Sequence, residues 1–225
     1  MRFLAALGIA QAKGTPAMLS GRLGRGGVGP DPSEVLPPDS QLARETLEDC
    51  RNELAPTVVE HSLRSFVFAR ALGLANGIDA DPEELFVAAM YHDYSFNQID
   101  DLTDRCFTLP SAEHVEERCR AAGWEPGRAE RVAEAVTMHI NPAVPLAHGP
   151  VQHLVHDGIF LDILSLRATE LDRAGVRRVF ERHPRMGFNE VGPAKLAEHG
   201  RRVPACRAAA AFQGGFRLAL KLAPG

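Results

Sequence analysis

His92 and Asp93 stand side by side where the apolar run Val87-Ala88-Ala89-Met90-Tyr91 ends, and His61 precedes them in Val58-Val59-Glu60-His61-Ser62-Leu63-Arg64. An imidazole and a carboxylate delivered together from the end of a buried helix, with a second imidazole from the helix before it, suit a divalent cation that takes nitrogen and oxygen ligands. Neighbouring residues in a helix point ~100° apart, so His92 and Asp93 can share one ion only where their helix ends. Ser95, Asn97 and Asp100-Asp101 just beyond agree with such an ending, and place Tyr94 and Asn97 at the mouth of the site.

The elements that must position these residues are helical. Val59, Leu63, Phe66, Val67 and Leu74 recur at three- and four-residue spacing and predict a helix over 57–74. Asp81-Pro82-Glu83-Glu84 is a helix start, with Asp81 as N-cap and Pro82 in the first turn. Earlier, Asp39 or Ser40 caps a helix to Glu53. Later helices are expected over 111–122, stopped by Gly123, and over 126–139, ended by Asn141-Pro142. Four more follow over 150–166, 176–182, 189–200 and 204–222. No strand-like alternation occurs, so the fold class is all-α. Residues 13–39 are dense in glycine and proline, which divides the chain into an irregular leader over 1–38 and a helical metal-binding domain over 39–225.

At 225 residues, 45% of them hydrophobic and 24% charged, the chain can bury one sizeable core. A net charge of −4 without a long basic block excludes a nucleic-acid polymer or an anionic membrane surface as partner, since both need clustered Lys and Arg. A small-molecule substrate is the expectation. Cys50, Cys106, Cys119 and Cys206 show no CxxC spacing, so neither a zinc knuckle nor a disulfide framework is expected and a reducing compartment fits. Residues 1–12 imitate a short secretory signal, but their apolar core is minimal and their basic region is Arg2 alone. No run reaches the ~18 to 20 apolar residues of a spanning helix, and the expected location is cytoplasmic. The long apolar C-terminal helix suits a homodimer.

His61, then His92-Asp93, then a late aspartate on a helix resembles the H…HD…D pattern of the HD-domain superfamily of metal-dependent phosphohydrolases. More narrowly, His61-Ser62-Leu63-Arg64-Ser65, Val87 to Asp93, Ala133-Glu134-Ala135-Val136-Thr137-Met138-His139, Gly158-Ile159-Phe160-Leu161-Asp162-Ile163-Leu164 and His183-Pro184-Arg185-Met186-Gly187-Phe188 look like its cyanamide-hydratase-like branch. The resemblance implies an HD-type helical bundle in which His61, His92, Asp93 and the late aspartate bind one divalent ion (Fe, Mn, Zn, Ni, Co or Mg), with room for a second.

Two residues compete as that aspartate. Asp157 and Asp162 lie ~140° apart on a helix. Asp162 shares its face with the small Gly158 and Ser165, which leave room for an ion and water, whereas Asp157 is flanked by His153 and Phe160. Asp162 is the expected ligand. An isolated carboxylate in so apolar a helix costs several kcal/mol unless it is paired or metal-bound. The resemblance also singles out His139, between the HD pair and the late aspartate, as a substrate-facing or second-metal histidine able to move a proton. Arg64, one turn after His61, is placed to pair with a metal-bound carboxylate or an anionic substrate. The catalytic set is then His139, Arg64 and Asp93. The other histidines, His114, His148, His153, His156, His183 and His199, are expected to be solvated or capping.

Two imidazoles and two carboxylates leave coordination positions for water and substrate, so attack by an activated water is the natural chemistry. The first functional expectation is a phosphohydrolase on a small phosphate ester or nucleotide. Two others stay open: a cyanamide-hydratase-like enzyme acting on a small neutral nitrogen compound, and a non-catalytic regulatory module that keeps the metal. Pocket charge and size separate the first two, since phosphate wants a wide arginine-lined pocket and cyanamide-like molecules a tight apolar one.

Overall fold

A computed structural model describes residues 29–213 and Phe216, and every regular element among them is helical. Nine α-helices follow one another: α1 Gln41–Glu53, α2 Pro56–Asn76, α3 Pro82–Tyr91, α4 Thr108–Ala121, α5 Pro126–Met138, α6 Pro150–Leu164, α7 Arg173–Arg182, α8 Phe188–Arg202 and α9 Arg207–Gln213. The all-α expectation is met. Local sequence sets the starts: Ser40 Oγ accepts the Ala43 N–H at 3.1 Å, and Asp81 Oδ1 accepts the N–H groups of Glu83 and Glu84 at 2.8 and 3.1 Å. Each removes an orphan donor at a helix N-terminus.

Helix α2 is buried on almost every side, from Val58 through Gly73, and α6 from Val151 through Leu164. Two helices apolar all round must form the centre of the bundle, and these two pack on each other with α3 and α5 alongside. Gly158 on α6 permits the contact. A Cβ there would lie 2.3 Å from the Ser65 carbonyl oxygen and 2.8 Å from Ala69 Cβ on α2. The space expected beside Gly158 for an ion and water is therefore filled by the backbone of α2. Buried Glu84 ties α3 to α5, accepting from Arg128 Nε at 3.0 Å and an Arg131 guanidinium nitrogen at 2.9 Å.

Residues 1–28, with the signal-like stretch 1–12, lie outside the described residues. The rest of the expected leader, 29–38, packs: Pro32 is buried in a 3₁₀ turn, Pro32–Glu34, and Asp31 pairs with Arg178 of α7. Ordered packing thus begins ahead of residue 39. Of the helix expected over 204–222, α9 is the described part. The cysteines depart from expectation: Cys106, before α4, and Cys206, before α9, form a disulfide across 100 residues of sequence. Spacing rules register local Cys pairs, and this one is made only by the tertiary fold. Among the described residues no helix is long and apolar enough to cross a membrane.

Candidate metal centre

His61, in the second turn of α2, has an Nε2 that lies 3.2 Å from His92 Nε2 and 4.0 Å from Asp93 Oδ2, while His92 Nε2 is 3.2 Å from the same carboxylate oxygen. All three side chains are buried. Helix α3 ends at Tyr91, so His92 and Asp93 occupy the turn where the helical path breaks, and both reach one point as the spacing required.

The termini explain how the rings are aimed. His92 follows the last residue of α3 and its Nδ1 donates to the Ala89 carbonyl at 2.7 Å, an acceptor the helix end leaves free. His139 follows α5 in the same relation, with Nδ1 donating to Val136 O at 2.7 Å. Its Nε2 lies 3.6 Å from Asp93 Oδ1, the oxygen turned away from His61. His61 donates from Nδ1 to Asp162 Oδ2 at 2.5 Å. Each Nδ1 is thus held by an oxygen, and three Nε2 lone pairs point toward one carboxylate. Two imidazole lone pairs meeting at 3.2 Å repel unless a proton or a metal ion sits between them.

Electrostatics agree. Burial pulls the His61 pKa down, against the lift of Asp162. Burial likewise acts downward on His92, but the Asp93 carboxylate outweighs it and the net direction is up. For Asp93, burial acts upward, yet the charge and hydrogen bond of His92, with His139 and His61 behind them, hold it well below the usual carboxylate range. Burial and the neighbouring His92 push His139 down to about 3. Asp93 is thus held ionised and His61 neutral, as metal ligation needs, while His92 is the ring whose proton an ion has to displace. The donor set of His61, His92 and Asp93 therefore fits a divalent ion, with His139 at the open side.

Asp162 is displaced from the position expected for it. Its Oδ1 accepts Arg64 Nε at 2.7 Å, and its Oδ2 accepts Arg64 Nη2 at 3.0 Å besides the His61 proton. Burial would raise its pKa, but His61 and Arg64 lower it to about 2. With both oxygens engaged it stands behind His61 and orients that ring. The helix contact at Gly158 brings Asp162 up against α2, one turn further on, and that proximity selects Arg64 as its partner. Arg64 in turn is wholly buried and donates its Nη1 to the carbonyls of His183 and Pro184 at 2.9 Å each, so four of its five N–H donors are engaged and its guanidinium does not line the cavity beside the site. Asp157 is elsewhere, accepting from His156 at 2.8 Å and pairing with Arg167.

Tyr94 and Asn97 do not reach the mouth. Tyr94 stacks on His114 with centroids 3.9 Å apart, and Asn97 donates to the Glu53 carbonyl at 3.2 Å. What covers the site instead is Phe188. Arg64 pins the 183–184 backbone, Gly187 turns the chain at a φ of 79°, and the Phe188 ring then stacks on His61 at 4.0 Å. Its signal lay in the His183–Phe188 motif, whose use depends on a contact with α2 that no spacing encodes. A small cavity of about 40 Å³ opens beside the four site residues. Its walls are Ile140, Ile159, Phe160, Ile163, Phe188 and Leu196 among others, with no Lys or Arg among the described lining residues.

A protein-family model described as the HD domain matches residues 58–210, from the start of α2 into α9. No curated protein matches the chain.

Proposed function

The chain belongs to the HD-domain family, and from that premise we propose that it is a metal-dependent enzyme that adds water to a small, uncharged carbon–nitrogen compound of the nitrile or amide type. The family is one of metal-dependent hydrolases; the narrower substrate class rests on a single observation. The cavity beside the metal donors is walled by aliphatic and aromatic side chains, and Arg64, the cation expected to meet an anionic substrate, is wholly buried away from the cavity lining and bonded to Asp162 and two carbonyls. A phosphate ester bringing about two negative charges would lose its hydration there with no side-chain cation among the described lining residues.

His61, His92 and Asp93 would hold the ion, whose contribution is Lewis acidity toward substrate and a more acidic bound water. Asp162 fixes the His61 ring through Nδ1, and Ala89 O fixes His92 in the same way. His139 keeps an open Nε2 on the pocket side of Asp93 and is the group that accepts or returns a proton at that atom. The apolar walls exclude bulk water and favour a compact neutral substrate.

The test is a side-by-side assay of metal-defined protein with cyanamide, simple nitriles and small amides on one arm, and phosphate monoesters, nucleotides and cyclic nucleotides on the other. Turnover confined to the neutral arm is expected. Release of phosphate or of a nucleoside at a comparable kcat/KM would overturn the substrate class and restore the phosphohydrolase reading.

A further inference from the structure

One wall of the cavity is movable in principle, because few bonds fasten it. Gly192, Pro193 and Leu196 of α8 and Phe216 beyond α9 line the pocket. Helices α8 and α9 pack closely on each other, with Gly200 against the Ala209 backbone. At its first residue α8 is held by Phe188 on His61. At the other end, besides apolar packing into the core, the hydrogen bonds and ion pairs run to the stretch 99–107. Arg202 donates to the carbonyls of Ile99 and Asp100, Lys195 lies 3.4 Å from the exposed Asp100 carboxylate, and Phe107 N–H donates to His199 Nε2 at 3.2 Å. The fourth tie is the Cys106–Cys206 disulfide. Exposed ion pairs and single hydrogen bonds hold weakly in water, so among these ties the covalent link is the strongest.

The disulfide has a third member beside it. A ring nitrogen of His199 lies within 4.8 Å of both sulfurs, the imidazole is fully buried, and its Nδ1 has no hydrogen-bond partner. A disulfide gives that ring almost nothing to bond, whereas a thiolate is a good acceptor for an N–H. We propose that Cys106 and Cys206 are a redox-responsive pair, supported by His199, whose disulfide fastens the α8–α9 wall over the metal pocket and whose reduction releases it. Metal and substrate access then depend on thiol state. The inference needs the pocket and its wall, and stands whichever substrate the enzyme takes.

The chemistry balances with a low-molecular-weight disulfide as oxidant. Cys106, the more exposed of the two at 7% against 2%, attacks one sulfur of the external disulfide as its thiolate. That S–S bond breaks and one external thiolate leaves, taking up the proton Cys106 gave. Cys206 then attacks the Cys106 sulfur, expels the second external thiolate, and closes the internal bond. Two protein thiols are oxidised and one external disulfide is reduced to two thiols. A small dithiol drives the reverse.

The experiment uses full-length, metal-loaded protein, reduced with dithiothreitol or treated with oxidised glutathione. Of the four cysteines, Cys50 and Cys119 are unpaired, so thiol titration in denaturant is expected to find all four after reduction and those two after oxidation. Amide hydrogen exchange over residues 188–213, and loss of metal to a chelator, are each expected to be at least about tenfold faster in the reduced protein. Cys106→Ser and Cys206→Ser should both behave like the reduced form under either treatment, which guards against one of them misfolding. His199→Gln should slow oxidation while reaching the same final thiol count. An unchanged thiol count would overturn the proposal, as would equal exchange rates in the two forms. So would a thiolate-to-metal charge-transfer band on adding Co²⁺ to the reduced protein, which would make the cluster a Cys₂His metal site.

Discussion

His92 and His139 meet the same local requirement. Each follows the last residue of a helix, donates Nδ1–H to the carbonyl three residues back, and so presents Nε2 as a lone pair toward Asp93. The bond that makes each ring an ordinary helix-end cap is also what aims it at the site. Asp162 belongs to the same logic one step back, acting on His61 in place of a carbonyl. Two substitutions separate the roles. Asp162→Asn leaves every proposed ligand atom in place but loosens the His61 ring and leaves buried Arg64 without its charge partner. Metal affinity should fall ~10- to 100-fold without vanishing, and stability should drop by about 3 to 5 kcal/mol. His139→Ala should keep one equivalent of metal while lowering kcat by ~10²-fold or more. Elemental analysis with steady-state kinetics on both variants decides. Complete metal loss in Asp162→Asn would return that residue to the ligand position, and metal loss in His139→Ala would make His139 a ligand.

At the scale of the helices, the approach of α2 and α6 is what turns separate motifs into a site. Gly158→Ala tests it. Alanine has the better helix propensity by about 1 kcal/mol, yet its Cβ would stand 2.3 Å from the Ser65 carbonyl oxygen and 2.7 Å from the Ala69 nitrogen, both backbone atoms that cannot rotate away. Overpacking of this kind costs typically 1 to 3 kcal/mol, so the clash wins. Calorimetry should show Tm lowered by several degrees together with weaker metal binding, since Asp162 rides on the same helix. An unchanged Tm would mean the helices separate freely and that the contact does not set the site. Much of this architecture was legible beforehand. Caps at Ser40 and Asp81, prolines at helix starts and three-and-four periodicity gave the helices, and the break after Tyr91 gave the meeting of His92 with Asp93. Facts that depend on pairing distant elements were not legible: that Gly158 serves α2, that Arg64 is consumed by Asp162 and the 183–184 carbonyls, that Phe188 covers His61, and that Cys106 meets Cys206. Each is decided by packing across roughly a hundred residues, and spacing within a helix carries no trace of it.

For the molecule as a whole, the buried site couples folding to protons and metal. His139 has its pKa pushed down to about 3 from 6.5, mainly by burial. Below pH 6.5 the unfolded chain protonates this residue and the folded one does not, so stability is lost as pH falls from 6.5 toward 3. Asp162, lowered to about 2 by His61 and Arg64 against its burial, adds a further loss below its ordinary value of 3.8. His92 has the opposite sign. Its folded pKa is raised by Asp93 despite burial, so its contribution in metal-free protein is fully present below 6.5 and fades as pH rises through the folded value. Chelator-stripped protein should therefore lose Tm on both sides of a maximum. A metal ion held by His61 and His92 would replace the proton between them, so its stabilisation should grow as pH rises from 5 to 8. At a free metal concentration of about 100 Kd the gain at the upper end is ~2.7 kcal/mol, or roughly 5 to 10 °C for a chain of this size. Scanning calorimetry of stripped and metal-loaded protein across that range measures it. A metal-induced shift that stays constant with pH would show that no proton is displaced, and that His61 and His92 do not close on a shared ion.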